Sequence, residues 1–451
     1  MAVSQFDEAN RLNEAGQYKE ALELYDQILT QNWNNAGLMA TMGTVFMRDS
    51  KTLGLAICLM QHAVEKSETI PPEVMSNLGL AYKYAGQRDK ALHWMERAVK
   101  KEPTAGTLTN YGSMFVENGD PSKALPMLDR AIKMSPELAL AHWNLSVALL
   151  ESGHWERGWR EYEWGSAPGG MRPDRVLGGR PRWNGEPGIV AVSGEQGIGD
   201  EIMFASMLPE MMKTNTVIFD CHKRLKTLFE RSLGVKCYGT REDAEVPWTE
   251  HEPFDYHINI GSLGKFYRNK REDFPGTPYL KAEPLLPKGR RPRVGISWTG
   301  GRLAGRIRKR TVPLSWWKSI LSNDCEFVSL QYTDQKEEIE IVEKEGYAIV
   351  QHPAAQTDDY YETARLVASC DLVITVCTSV VHLAGALGVP CWVMTPKAPA
   401  WRYQHTGGMP WYRSVRLYRQ AEGKADAWIP VVQRVGLDLA DFVDARRVKA
   451  A

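Results

Sequence analysis

The sequence predicts an all-helical repeat array followed by two α/β units, and three observations predict it. Small residues recur every 33 to 35 positions through the first third of the chain. From Gly188 onward, short apolar runs alternate with helical patterns. Two stretches rich in Pro and Gly or in Pro and charge, 168–187 and 274–291, punctuate the change.

The array comes first because a missed period misreads the whole fold. Ala21, Ala56, Ala91, Ala124 and Gly158 are separated by 35, 35, 33 and 34 residues. Ala63, Ala98 and Ala131 repeat the small side chain seven positions further on. Asn77, Asn110 and Asn144 keep the same step, and Gly86, Gly119 and Gly153 mark turns. Small residues let paired helices approach closely, while Tyr18, Tyr25, Tyr82 and Trp94 fill the spaces between. Pro103 and Pro136 stand where a helix must stop. A period near 34 with this pattern is that of the tetratricopeptide repeat, about five helix pairs over residues 1–167. Such solenoids present a groove to a partner chain, or serve as spacers or dimer contacts. Trp155, Trp159, Tyr162 and Trp164 follow at helical spacing and form one face. That face is expected to cap the array against the next domain.

Beyond the boundary stretch, 189–193 and 216–220 read as strands flanking a helix around Glu201–Met212. A second series follows at 293–298, 325–330, 347–350, 371–376 and 391–394. Alternation of this kind argues for parallel sheets with covered faces. The expected domains are 1–167, 168–280 and 281–451, with a ligand cleft at the carboxyl ends of the strands.

Composition bounds the function. A chain of 451 residues suggests about three domains. Lys plus Arg equals Asp plus Glu at 55 each, so no global field draws the chain to nucleic acid or membrane. The N-terminus lacks a basic leader with an apolar core, and no apolar run reaches membrane-span length. Seven scattered cysteines without metal-ligand spacing fit a reducing cytoplasm and predict no metal site.

Three loops carry candidate chemistry. SGEQGIGDE (193–201) lies between a strand and a helix, and Gly194, Gly197 and Gly199 permit close backbone approach to a ligand. Asp200 in that loop is either a proton acceptor in a cleft or a helix cap, and spacing alone leaves the two level. In TVCTSVVHLAGALGVP (375–390), Thr378 and Ser379 open a helix and His382 lies one turn in. Amides and hydroxyls at a helix start suit a diphosphate, although a hydroxyl-capped core helix fits the same residues. The third loop, WTGGRLAGRIRKRTVPL (298–314), carries Arg302, Arg306, Arg308, Lys309 and Arg310 and is an anion-binding candidate. Nucleic acid is its weaker reading, because no compact recognition motif accompanies the charge.

EQGIGDEIMFA (195–205), GISWTGG (295–301), RTVPL (310–314), VSLQ (328–331), 362–393 and 399–420 together resemble a known arrangement. The chain is similar to bacterial tetratricopeptide-repeat proteins fused to a heptosyltransferase-like glycosyltransferase domain of family 9 type. The resemblance implies a GT-B-like pair of Rossmann-type α/β lobes. It also implies transfer of a sugar from a nucleotide-diphospho-sugar, inverting and metal-independent, to a macromolecular acceptor, a protein, presented by the repeat arm. Asp200 would be the general base. Gly197, Gly199, Trp298, Gly300, Arg308, Arg310, Gln331, Thr378, Ser379 and His382 would surround the donor and its phosphates. One position departs from the pattern. Cys377 stands where relatives carry Asp before the Thr-Ser pair, and a thiol contacts sugar hydroxyls poorly. Ala304 and Ile307 likewise replace a His and an Asp. The rival readings are a non-catalytic nucleotide- or sugar-binding scaffold and a glycosyltransferase acting on nucleic acid.

Overall fold

The computed structural model describes residues 2–15, 17–32, 35–172, 175–300, 310–424 and 426–450. They form two compact units, Met1–Val116 with Ser122–Ala141, and Glu117–Pro121 with His142–Ala451.

In the first unit, helices pair in sequence: α1 (Ala2–Glu14) with α2 (Tyr18–Asn32), α3 (Ala36–Phe46) with α4 (Leu53–Lys66), and α5 (Pro72–Tyr84) with α6 (Arg88–Lys101). They are followed by α7 (Ala105–Glu117) and α8 (Pro121–Met134). The recurring Ala21, Ala56, Ala91 and Ala124 are buried, as are Ala63, Ala98 and Ala131. Glycines set the crossings. A Cβ on Gly79 would lie 3.0 Å from the Ala91 carbonyl and 2.6 Å from Met95 Cγ, and Gly43 meets Ala56 and Met60 in the same way. The repeated asparagine has a specific task. Asn77 Nδ2 donates to Thr44 Oγ1 at 3.4 Å, and Asn110 Nδ2 donates to Ser76 Oγ at 3.0 Å, each one repeat back. The repeat reading holds down to individual side chains.

The second unit begins in α9 (Ala139–Glu151) and takes in α10 (Trp155–Tyr162). Residues 142–167, read from sequence as the end of the array, therefore pack with the α/β half. The cause is the aromatic face of α10. Trp155, Trp159 and Tyr162 are buried in one apolar cluster with Phe204, Trp401 and Trp411, and Trp159 Nε1 donates to the Arg268 carbonyl at 2.7 Å. Trp164 departs from that face: it stacks on His142 at 4.1 Å.

Two parallel sheets follow. The first holds β1 (Ile189–Ser193), β2 (Thr216–Asp220), β3 (Lys236–Tyr238) and β4 (Tyr256–Asn259) in the order β3-β2-β1-β4. The second holds β5 (Arg293–Ser297), β6 (Glu326–Ser329), β7 (Ile349–Gln351), β8 (Leu372–Val376), β9 (Cys391–Thr395) and β10 (Val415–Arg419) in the order β10-β9-β8-β5-β6-β7. β3, β4 and β10 add to the strands read from sequence. The helix expected over 201–212 is broken into α11 (Ile198–Ala205) and a short turn at Leu208–Met211. The stretch 168–187 is more than a linker: Arg182 bridges to His257 beside β4, and Arg172, Leu177 and Trp183 are buried. One apolar cluster runs through both α/β halves, taking in Val192 and Phe229 from the first and Leu330, Val373 and Leu383 from the second.

Candidate functional site

Strand order reverses between β1 and β4 in the first sheet and between β5 and β8 in the second. At such a reversal neighbouring loops turn away to opposite sides, leaving a crevice at the carboxyl ends of the strands. The three loops singled out by sequence leave the carboxyl ends of β1, β5 and β8, and two contacts bring them together. A Cβ on Gly199 would lie 3.0 Å from His382 Cδ2 and 3.1 Å from Ser379 Cα. A Cβ on Gly300 would lie 2.7 Å from Thr378 Cγ2 and 3.3 Å from the Cys377 carbonyl.

The β1 loop is built around buried charge. Glu201 is fully buried and folds back beneath Gly194, where a Cβ would come within 2.5 Å of its carboxyl group. It pairs with Arg241 at 3.1 Å and accepts the His222 N–H at 2.8 Å. Burial nevertheless pushes its pKa up to about 7 against the pull of Arg241. Glu195 is equally buried and receives Arg172 Nε at 3.0 Å, while Arg172 also lies over the Tyr162 ring at 4.1 Å. Between them, Gln196 adopts the left-handed region at φ 61°, its carbonyl held by Arg241 Nη1 at 2.8 Å. A non-glycine residue there is strained and persists only where its surroundings dictate it.

Asp200 makes the helix-capping contact and has a second partner besides. Its Oδ2 accepts the Gly197 N–H at 3.4 Å, the contact of a residue that caps its own helix. Its Oδ1 is ion-paired with Arg402, from the segment after β9.

Several residues expected against the donor also bond or pack within the protein. The hydroxyl of Thr378 accepts the Val380 N–H at 3.2 Å, capping the Ser379–Leu387 helix, and Ser379 Oγ lies 2.9 Å from the Tyr360 hydroxyl. Gln331 is buried, its Oε1 receiving Ser297 Oγ at 2.6 Å and the Trp298 N–H at 3.1 Å, so it shapes the β5 loop. Trp298 is a core side chain beside Val312 and Trp317. Gly197 and Gly199 serve the helix start and its close packing, and Gly300 the approach of the β5 loop to the β8 loop. His382 is buried between Gly199 and the Tyr412 hydroxyl, 3.3 Å from its Nδ1. Burial, with Arg310 adding to it, pushes its pKa down to about 3, so it acts as a neutral ring. Cys377 is a neutral buried thiol, its pKa pushed up to about 11 by burial.

Arg310 is the predicted cation without an ion pair among the described residues. It is partly exposed and near enough to Cys377 and His382 to act on both. Arg308 lies outside the described residues, with the rest of 301–309. Sequence reasoning missed Arg402, Glu201, Glu195 and Arg172. An available signal was a Glu opening the apolar run EIMFA.

Two cavities of about 520 and 820 Å³ lie elsewhere, one by Arg419 and Pro430 and one by Arg268 and Phe274. Asp200, Arg310, Thr378 and His382 line neither. Among the described residues, no His, Cys, Asp and Glu are grouped so as to hold a metal ion, and no helix is long and apolar enough to cross a membrane.

Comparison with known proteins bears on the repeats. Family models of the tetratricopeptide repeat match residues 72–105 and 112–158, so the chain contains tetratricopeptide repeats. Protein FlbA of Caulobacter vibrioides is 31% identical over 338 residues, covering 68% of this chain and 56% of that protein. The chain thus spans about half the length of this curated relative. Among solved structures, MamA is similar at 18% identity and a TM-score of 0.31, over 36% of this chain and 88% of MamA. PilF of Pseudomonas aeruginosa is similar at 12% identity and a TM-score of 0.35, over 47% of this chain and 85% of PilF.

Proposed function

We propose that the second unit transfers a sugar from a nucleotide-diphospho-sugar to an acceptor hydroxyl, and that the repeats present a protein acceptor to it. The observation that carries this reading is the meeting of the β1, β5 and β8 loops at two strand-order reversals, with Arg310 near them and in no ion pair among the described residues. A cation at that place suits a departing diphosphate, whose negative charge grows as the glycosidic bond breaks. Asp200, on the opposite loop, would take the acceptor's proton as the new bond forms. A positioned base contributes roughly 10²–10⁴-fold. Glu201, buried beneath the same loop, pairs with Arg241, which holds the loop's Gln196 carbonyl.

A second reading has its own support. Asp200 is already paired with Arg402, and Cys377 is a neutral thiol where the resemblance implies a carboxylate. Both fit a scaffold that binds a nucleotide or sugar without turning it over.

Asp200→Asn separates the two. A base reading expects near-normal donor binding with single-turnover transfer slowed by about 10² or more. A capping role expects transfer almost intact, since Asn caps a helix about as well as Asp. A wild-type chain that binds donors and transfers none of them would establish the scaffold.

A further inference from the structure

We propose that Arg402 is a displaceable lock on Asp200, released when a diphosphate draws its guanidinium away; the proposal rests on the glycosyl-transfer reading of the site. The lock is visible as the ion pair between Asp200 Oδ1 and Arg402, both side chains largely buried. While it stands, the carboxylate oxygen that would take a proton is occupied. The pair also fastens one half of the unit to the other. Asp200 follows Gly199, which lies against Ser379 and His382, so the lock holds α11 on the Ser379–Leu387 helix.

Three observations make the lock removable. Arg402 is not saturated, because its Nε is buried without a hydrogen-bond partner among the described residues. Arg310 stands near: both guanidiniums act on the Tyr403 phenol, and Arg310 makes no ion pair among the described residues. Two cations acting on one phenol, one of them paired with Asp200, leave positive charge for an anion. A diphosphate offers more charge than one carboxylate and can accept several N–H bonds from a planar fork.

The backbone that carries Arg402 is meanwhile fixed, so the side chain is the moving part. Gln404 lies in the left-handed region at φ 51°. Arg419 holds it there, donating to the Gln404 carbonyl at 2.7 Å and the Tyr403 carbonyl at 2.8 Å. His405 Nε2 lies 2.9 Å from Glu151 Oε1, at the end of α9, and the imidazole fills the space over Gly119, where a Cβ would meet it at 2.4 Å. A rigid loop with one long flexible side chain can exchange one anion for another without refolding.

Hydrogen–deuterium exchange on the full chain tests this without requiring turnover. Exchange is followed over Gly197–Ala205 and Ser379–Leu387 in the wild type, Arg402→Gln, Asp200→Asn and the double variant, with and without inorganic pyrophosphate. Asp200→Asn keeps shape and cap, so it answers the question even if Arg402→Gln folds poorly. The lock predicts faster exchange in both segments, about fivefold or more, in either single variant, and no further gain in the double. Pyrophosphate should produce the same acceleration in the wild type and none in Arg402→Gln. Unchanged exchange in Asp200→Asn overturns the lock, and unchanged or slower wild-type exchange with pyrophosphate overturns its displacement. A chain that shows the lock yet transfers no sugar loses only the glycosyl-transfer reading. One that transfers sugar with unaltered exchange loses only the lock.

Discussion

The repeat unit and the α/β unit solve the same packing problem with different materials. Between repeat helices, glycine and alanine lie against Met, Leu and backbone carbonyls, as at Gly79 on Ala91 and Met95. At the loops of the α/β unit, glycines lie against titratable side chains instead: Gly194 on Glu201, Gly199 on His382, Gly261 on Glu195 and Tyr162. The first arrangement needs only shape. The second buries carboxylates and guanidiniums, which shape alone would never select, since buried ion pairs rarely stabilise more than apolar residues of the same volume. Where a chain accepts that cost, chemistry or positioning is the economical explanation.

Removing one partner of a buried pair should break the α/β unit most severely. Arg172→Met leaves Glu195 buried without its cation and should cost about 3–5 kcal/mol in denaturant unfolding of that unit. Adding Glu195→Gln should restore part of the loss. A cost within that of an ordinary surface substitution would show that the contrast between the two regions is one of appearance.

How much of this was legible depends on the material. The repeats could be read to the residue, because a 34-residue step leaves its mark on Ala, Asn and Gly alike. The strands with continuous apolar runs were equally plain. β3 is three residues long, β4 reads Tyr-His-Ile-Asn, and β10 alternates with Arg, so none carries the apolar run of a buried strand. The loops of Gly199, Gly300 and Thr378 were read as parts of one site, and the structure brings them together. Which of their polar atoms bond within the protein was not legible. Gln331 Oε1 and the Thr378 hydroxyl bond to a neighbouring loop and a helix end, a fact carried by three-dimensional partners rather than spacing. Arg402 lies 202 residues from Asp200, beyond any local pattern.

The repeat side of the comparison is tested by overpacking. Gly79→Val places methyl groups where a single Cβ already meets Met95 and the Ala91 carbonyl. The cost should be about 1–3 kcal/mol, with loss of helical signal from the first unit in thermal melts. The same stability as wild type would mean that this crossing is loose and that small residues do not set it.

A smaller effect sharpens the charge side. Because the pKa of Glu201 is raised from 4.5 to about 7, the folded chain retains a proton there that the unfolded chain has lost. Its contribution is full below pH 4.5 and is lost as pH rises through about 7. Glu201→Gln should therefore flatten the fall in stability across that window, measured as unfolding free energy against pH. An unchanged slope would assign the fall to other groups.

The most direct test of the central claim, that the meeting loops hold a nucleotide-diphospho-sugar, is a melting series of wild type and Arg310→Ala against a panel of such donors. A donor held by the native state at 100 times its Kd stabilises by about 2.7 kcal/mol. The account predicts that at least one panel member raises the wild-type melting temperature. The same member should shift Arg310→Ala far less, since the lost charge-assisted contact costs about 1.5–3 kcal/mol of affinity. The ligand-free variant should melt close to wild type. A panel that leaves the wild type unmoved, or moves the two proteins equally, would contradict it.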